Sequence, residues 1–511
     1  MNEQTQNRVT NSSKIATNSL INFAGYLALT ILALWAIPII IESVSNASFG
    51  LLSLIWAIVG YFALLDFGFG RAATKFLAKT LSNKDISETQ KIIGTAFIAS
   101  FLLGLLFCLV ILAVTPILIS DLLKIPPELV EEGIRAFRLS AFAIPLILTG
   151  SVARSVFMAA HRFGTINIMQ TASGIIQWLG AVVAIKLGGT VYEIVAVFLF
   201  ARAGGFLALI LPMSKVVPDV YRNIFRWDND QFKKLARFGG WVTVSQIVGP
   251  LILYVDRFII SSFLTLTVLA YYAVQQEIIT RLLIIPQSLA TSLYPAMSEM
   301  AHDADYEARN RKMYLRSVRY LALFMLPIIL LIIVYAREML LWWLGEEYAT
   351  NGTLLLQIFA IGLFLNALAQ VPFAALHAYG FPDLTAKFHL IELPITIVLN
   401  LIFIPLYGIV AAAVVWSFRA LLDTLFLFVF VNKKIITRTN ALQLNSIYRG
   451  LIAFILLLCG SFLLANAGMF FTKNLVMFFF VLVYLLSVWF YAFDDADRSF
   501  FFQLRVRILG R

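Results

Sequence analysis

The sequence predicts an all-α polytopic membrane protein, and three observations carry that reading. Of its 511 residues 61% are hydrophobic and only 13% charged, with a mean hydropathy of +0.88. An ordinary soluble domain carries about 25% charged residues. Apolar stretches long enough to cross a bilayer recur from one end of the chain to the other. No stretch shows the polar–apolar alternation of a membrane barrel. The N-terminal segment "MNEQTQNRVTNSSKIATNS" is polar and lacks the layout of a cleaved signal, so the first span is expected to stay in the mature protein. Cys108 and Cys459 both sit in apolar runs and read as packing residues, without a disulfide framework or a CxxC pattern.

The hydropathy pattern places fourteen spans, at 17–41, 47–68, 92–117, 137–158, 168–188, 191–213, 238–262, 267–294, 317–336, 353–376, 386–406, 408–431, 449–467 and 473–493. Loop charge sets their direction. With the N-terminus inside, most of the 39 lysines and arginines fall in inner loops, in clusters such as Arg71, Lys75, Lys79, Lys84 and Lys91. The outer side holds Lys124, Arg135, Arg138, Lys186, Arg337 and Lys473. An even number of spans with both termini cytoplasmic satisfies the positive-inside rule at every loop. The net charge of +11 is therefore a topology signal and a contact with anionic lipid headgroups; no nucleic acid is expected.

The chain repeats itself. Spans 1 and 2 echo spans 7 and 8: a long first helix, a short outer loop, an aromatic opening (Phe49; Tyr271, Tyr272), then a charged inner loop. Spans 1 and 7 run the same way, so the halves are parallel repeats, an arrangement in which transporters place a substrate site at the interface. The expected domains are a first lobe at 1–213, an amphipathic inner linker at 214–237, a second lobe at 238–431, spans 13 and 14 within 432–493, and a tail at 494–511.

"FGLLSLIWAIVGYFALLDFGFGRAATKFLAK" resembles the second-helix signature of the polysaccharide-type lipid flippases, the Wzx-like exporters of the multidrug/oligosaccharidyl-lipid/polysaccharide superfamily. "LYVDRFIISSFLTLTVLAYYAV" followed by "IPQSLATSLYPAMSEM" resembles the start of their second lobe. The resemblance covers nearly the whole chain. It implies two six-helix lobes in a V around a central cavity, with spans 13 and 14 packed outside. It also implies a substrate, an undecaprenyl-pyrophosphate-linked oligosaccharide, moved across the inner membrane from cytoplasm to periplasm. The protein partners it implies are a polysaccharide polymerase and a chain-length regulator.

Ionisable groups at bilayer depth are costly, so each calls for an explanation. Span 7 holds Asp256 and Arg257, span 8 holds Glu277 and Arg281, span 6 holds Arg202, span 11 holds Glu392 and span 12 holds Arg419 and Asp423. Arg71 and Arg154 stand at the inner ends of spans 2 and 4, with Asp66 beside Arg71. Glu277 with Arg281, and Arg419 with Asp423, have the i,i+4 spacing of a pair on one helix face. Neutral pairing is one reading of them. The other follows from the resemblance, in which spans 7 and 8 line the cavity: Arg257 and Arg281 then hold the diphosphate, since guanidinium grips it bidentately and keeps its charge. Arg71, Arg154 and Arg202 complete the candidate substrate-binding set, and Asp256 and Glu277 are the candidates for ion coupling. Both readings stay open at each residue: Arg71 and Arg154 are equally well snorkelling arginines at helix ends. Gly68 and Gly70 are expected to weaken the inner end of span 2. Pro38, Pro145, Pro250, Pro286, Pro327, Pro372 and Pro394 interrupt spans and can kink them.

Two other functions are weighed. A cation-coupled drug exporter of the same superfamily commonly carries an acid in its first helix, whereas residues 17–41 hold only Asn18 and Asn22 as comparable polar groups. A membrane polysaccharide polymerase or ligase needs a sizeable outer loop. The longest here, 118–136, carries "DLLKIPPELVEEGIR" without an evident nucleophile or metal cluster, and His161, His302, His377 and His389 lie in inner loops or at helix ends. No catalytic residue, metal or cofactor is therefore expected.

Overall fold

The computed structural model describes residues 24–64, 68–300 and 307–434, together with 474, 477, 478 and 484. Among them the regular structure is entirely helical. In chain order the helices are α1 (Ala24–Ser43), α2 (Asn46–Leu64), α3 (Phe69–Ser82), α4 (Ile86–Ile117), α5 (Pro127–Ala141), α6 (Ala143–Ala159), α7 (Phe163–Lys186) and α8 (Val191–Ile210). There follow α9 (Val220–Asn223), α10 (Asn229–Phe263), α11 (Leu266–Leu282), α12 (Ile284–Met300), α13 (Glu307–Leu344), α14 (Glu346–Ala378) and α15 (Pro382–Lys434).

Ten stretches of the described residues are long and apolar enough to cross a membrane. Spans 1–6 and 8–10 each have one. Spans 11 and 12 share the 52-residue stretch Pro382–Lys433, which is broken inside α15 at Gly408 (φ 67°, ψ −153°). That backbone is open to glycine and strained for other residues. Span 7 lies in α10, whose polar start, "NDQFKKLARF", lowers its mean hydropathy. Spans 13 and 14 lie largely outside the described residues. Of them, Asn474 accepts a hydrogen bond from the Tyr335 hydroxyl (2.6 Å), and the Tyr484 hydroxyl donates to the Leu323 carbonyl, both partners on α13.

Several predicted spans are longer or more divided than hydropathy shows, and prolines and glycines account for the divisions. Span 2 stops at Leu64, and Gly68 takes a left-handed conformation (φ 70°) from which a separate helix, α3, begins. Helix α3 buries Ala72, Ala73, Leu77 and Thr80 and exposes Arg71, Lys75 and Lys79, one turn apart along its other face. Asp66 lies outside the described residues. Span 4 is two helices, α5 and α6, because Pro145 has no N–H for the Ala141 carbonyl. Span 8 divides into α11 and α12 for the same reason, Pro286 leaving the Leu282 carbonyl without its partner. Cys108 is buried in α4 and Trp342 is almost fully exposed near the end of α13.

The chain forms two compact units. The first comprises the chain to Val274 with Ala386–Val415; the second comprises Gln275–Thr385 with the chain from Trp416. In the first, α6 packs on α4, α3 and α8, and α10 packs on α2, α3 and α4. One of its cores joins Ala72, Ala73 and Leu77 of α3 to Ile92, Ile93 and Ala96 of α4 and Val152, Val156 and Phe157 of α6. In the second unit α14 packs against α12 and α13.

Candidate functional site

The described charged residues of the membrane helices include two kinds, those bonded to protein and, at Arg202, one whose recorded electrostatic neighbour is a like charge. Asp256 and Arg257 are of the first kind. They lie seven and six residues from the end of α10 and are 3% and 5% exposed. The Arg257 guanidinium donates to the Ser53 carbonyl of α2 (3.2 Å) and lies over the Tyr254 ring. The Asp256 carboxylate accepts from the Arg257 backbone N–H (2.8 Å) and from the Tyr272 hydroxyl of α11. Close backbone approach makes these bonds possible. A Cβ on Gly50 of α2 would run into the Leu266 carbonyl, and one on Gly60 would meet the Tyr254 hydroxyl. The same end of α10 is held by Lys124. Its backbone N–H donates to the Ser261 carbonyl (2.8 Å) and its ammonium to the Phe263 carbonyl (2.7 Å). The last carbonyls of a helix lack partners within it and carry partial negative charge, so a lysine there is favourable.

Arg281 and Glu277, on α11, form the i,i+4 pair at 2.6 Å, with side-chain exposures of 15% and 29%. Arg419 acts electrostatically on Asp423 one turn away on α15, and Glu392, also on α15, is buried. Arg71 is exposed in the first turn of α3.

Arg202 of α8 is of the second kind, and Arg154 of α6 is the like charge that acts on it. Helices α6 and α8 pack together. Gly150, one turn before Arg154, leaves room against α8, where Phe206 is the neighbour its Cβ would meet. Arg202 lies one turn from Phe206 and one turn from Phe198. Arg202 is surrounded by protein yet keeps accessible surface. Among the described residues it makes no hydrogen bond or ion pair, and the charge acting on it is the like charge of Arg154. One turn further from Arg202, Phe198 stacks on Trp56 of α2 at 5.6 Å, with Trp178 of α7 edge-on to Trp56 at 5.4 Å. A guanidinium deep among protein atoms beside a second one is costly unless an anion neutralises it.

Sequence reasoning named Arg154 and Arg202 separately and did not bring them together. The link runs through the packing of α6 on α8 at Gly150, which no spacing displays. It did not single out Lys124, although a lysine on the sparsely charged outer side was a signal that it has work there.

The profile of the polysaccharide biosynthesis protein family matches residues 43–351. The chain is 30% identical to an O-antigen transporter of Shigella flexneri over 416 residues, 81% of this chain and 96% of that one. The chain belongs to the polysaccharide biosynthesis protein family. Its members with the present resemblance are Wzx-like flippases, as the two quoted signatures implied. A more distant relative, 24% identical over 56% of this chain and 58% of its own length, is the low-salt glycan biosynthesis flippase Agl15 of Haloferax volcanii. Solved structures show the fold. The chain matches the lipid II flippase MurJ in an inward closed conformation with a TM-score of 0.70 at 15% identity, over 93% of this chain and 99% of that one. It matches a multidrug resistance MATE family transporter, inward-facing, with a TM-score of 0.67 at 15% identity, over 82% and 98%. The protein is thus a multi-pass membrane protein of the polysaccharide-type flippases.

Proposed function

We propose that the protein flips an undecaprenyl-pyrophosphate-linked oligosaccharide from the cytoplasmic to the periplasmic leaflet of the inner membrane, with both termini cytoplasmic. One observation carries the proposal: the Arg154–Arg202 pair, two fixed positive charges of which Arg202 has no protein partner among the described residues. A diphosphate supplies what Arg202 lacks. It brings at least two negative charges and oxygens spaced for bidentate guanidinium contacts. Both arginines lie on the halves of α6 and α8 nearest the basic loops, the side from which a lipid made in the cytoplasm arrives. Arg71, exposed on the basic face of α3, meets the headgroup first.

In this reading Arg257 and Arg281 hold α10 and α11 through Ser53 and Glu277 in the present conformation, and the substrate reaches them only after those bonds open. The lobes 1–213 and 238–431 alternate access, a periplasmic polymerase with its chain-length regulator takes the product, and the chemistry is transport without catalysis. Membrane potential suffices as a driving force. With the inside negative, outward movement of an anion is favoured by about 2.3 kcal/mol per charge per 100 mV. The two candidate coupling acids, Asp256 and Glu277, already accept bonds from Tyr272 and Arg281.

The test is a flipping assay in vesicles with a short-chain polyprenyl-diphosphate oligosaccharide. Arg202→Gln should slow flipping at least tenfold with protein level unchanged, and Arg202→Lys should recover only part of it, since lysine keeps the charge and loses the fork. Flipping at the unmodified rate by Arg202→Gln contradicts the assignment.

A further inference from the structure

The linker between α8 and α10 is fastened to the first unit on one side and left bare on the other. Val217, Val220 and Ile224 are buried, the first two in the core shared by α3, α4 and α6. Its polar groups are tied to α4: Asn223 donates to Gln90 (2.9 Å), Gln90 to the Pro218 carbonyl (2.7 Å), and the Asp228 N–H to Thr95 (3.1 Å). The Tyr221 hydroxyl donates to the Ile210 and Leu211 carbonyls at the end of α8. These bonds hold Arg222, Phe225 and Arg226 outward.

Where they point is shown by α4. Its exposed apolar residues, Phe101, Leu102, Leu105, Leu106, Leu109 and Val110, follow a helical repeat and make one lipid-facing stripe. Phe97 is the next position of that stripe toward the basic loops, and it is buried. Phe225 lies edge-on to it at 6.1 Å, with Phe206 stacked at 6.5 Å. Phe225 thus takes over the lipid-facing position, and it is 76% exposed. An aromatic residue so placed belongs at the boundary between acyl chains and headgroups. Arg222 and Arg226 flank it, both exposed, and no hydrogen bond or ion pair is made by their guanidinium groups among the described residues. Two other basic residues nearby are engaged, Lys91 with Asp228 at 3.7 Å and Lys234 with Glu88 at 3.7 Å.

We infer that Arg222, Phe225 and Arg226 form a binding site for an anionic phospholipid of the inner leaflet, its phosphate between the two guanidinium groups and its acyl chains along the α4 stripe. The site is separate from the Arg154–Arg202 pair, and its occupant is a bulk lipid that stays in its leaflet. It anchors the linker that joins the two halves of the flippase at the membrane surface.

Purified protein, reconstituted without any oligosaccharide lipid, is heated in nanodiscs of phosphatidylcholine alone and of phosphatidylcholine with phosphatidylglycerol. Unfolding is followed by tryptophan fluorescence, and native mass spectrometry counts the retained lipid. Phosphatidylglycerol should raise the midpoint. The Arg222→Gln/Arg226→Gln double variant should keep the phosphatidylcholine midpoint, lose at least half of that rise, and retain about one phosphatidylglycerol fewer. Phe225→Ser should lose a smaller part, and Lys433→Gln, at the end of α15 in the second unit, none. A full rise in the double variant overturns the inference. So does an equal rise of the unmodified protein with inorganic phosphate in phosphatidylcholine, which would make the site one for soluble anions.

Discussion

The C-terminal end of α10 and the α6–α8 face use the same residue, arginine, in opposite ways. At the end of α10, Arg257 is enclosed by Tyr254 and bonded to a backbone carbonyl, Asp256 is bonded by Tyr272, and Lys124 closes the last turn. Every one of these charges has a protein group to satisfy it. On the α6–α8 face Arg202 stands among protein atoms with another arginine for electrostatic company. The first arrangement stabilises the chain as it stands. The second costs stability unless an anion neutralises it, which is why the proposed function places the diphosphate there. The identity of the nearest partner separates the two kinds of arginine, a carbonyl for Arg257 and a like charge for Arg202.

The contrast can be broken at its structural end. Arg257→Ala should remove one charge-assisted bond, worth about 1.5–3 kcal/mol when buried. It should lower the thermal midpoint in detergent by several degrees and leave binding of a polyprenyl diphosphate unchanged. Lost binding with an unaltered midpoint would move Arg257 to the ligand class.

A smaller effect is expected at Lys124. Lys124→Gln removes the ammonium from the exposed end of α10 and keeps the backbone bond to Ser261, for a loss of about 0.3–1 kcal/mol. Accessibility of a cysteine placed at Ser262 to a membrane-impermeant maleimide should rise up to about fivefold, since a shift of that size moves a two-state population by such a factor. Unchanged labelling would mean that the lysine does not restrain this end.

The smallest effect concerns the N-terminal end of α10, which Asp228 caps. The Gln231 backbone N–H, helped by Lys91, holds the Asp228 carboxylate below its ordinary range. A carboxylate lowered on folding contributes stability above its unfolded pKa of about 3.9 and loses it as pH falls through the lower, folded value. The thermal midpoint of Asp228→Asn should therefore lie slightly below that of the unmodified protein from pH 8 to 5, and the two should converge below about pH 4. A difference that grows on acidification would reverse the sign and refute the capping role.

Much of the fold was legible because hydropathy and punctuation are local. The break at Gly408 falls where spans 11 and 12 were separated, and Pro145 and Pro286 divide the helices they were expected to kink. Helix α3 was not legible as a helix of its own. Its apolar face is small, Ala72, Ala73 and Leu77, and the basic residues on its other face read as a loop. The site was half legible. Arg257 was singled out for its charge, but its partner is the carbonyl of Ser53, a backbone group that no side-chain pattern announces. Arg202 was named for its depth and Arg154 for its place at the inner end of span 4; the effect of one on the other depends on the packing of α6 on α8, and the two residues are 48 positions apart in the chain.

Direct binding of a sugar-free, short-chain polyprenyl diphosphate to the purified protein, followed by tryptophan fluorescence, tests the division of arginines most directly. The account predicts that Arg202→Gln weakens binding by about ten- to a hundredfold, the range of one lost charge-assisted contact, while Arg257→Gln binds like the unmodified protein. Normal binding by Arg202→Gln together with loss in Arg257→Gln would contradict it.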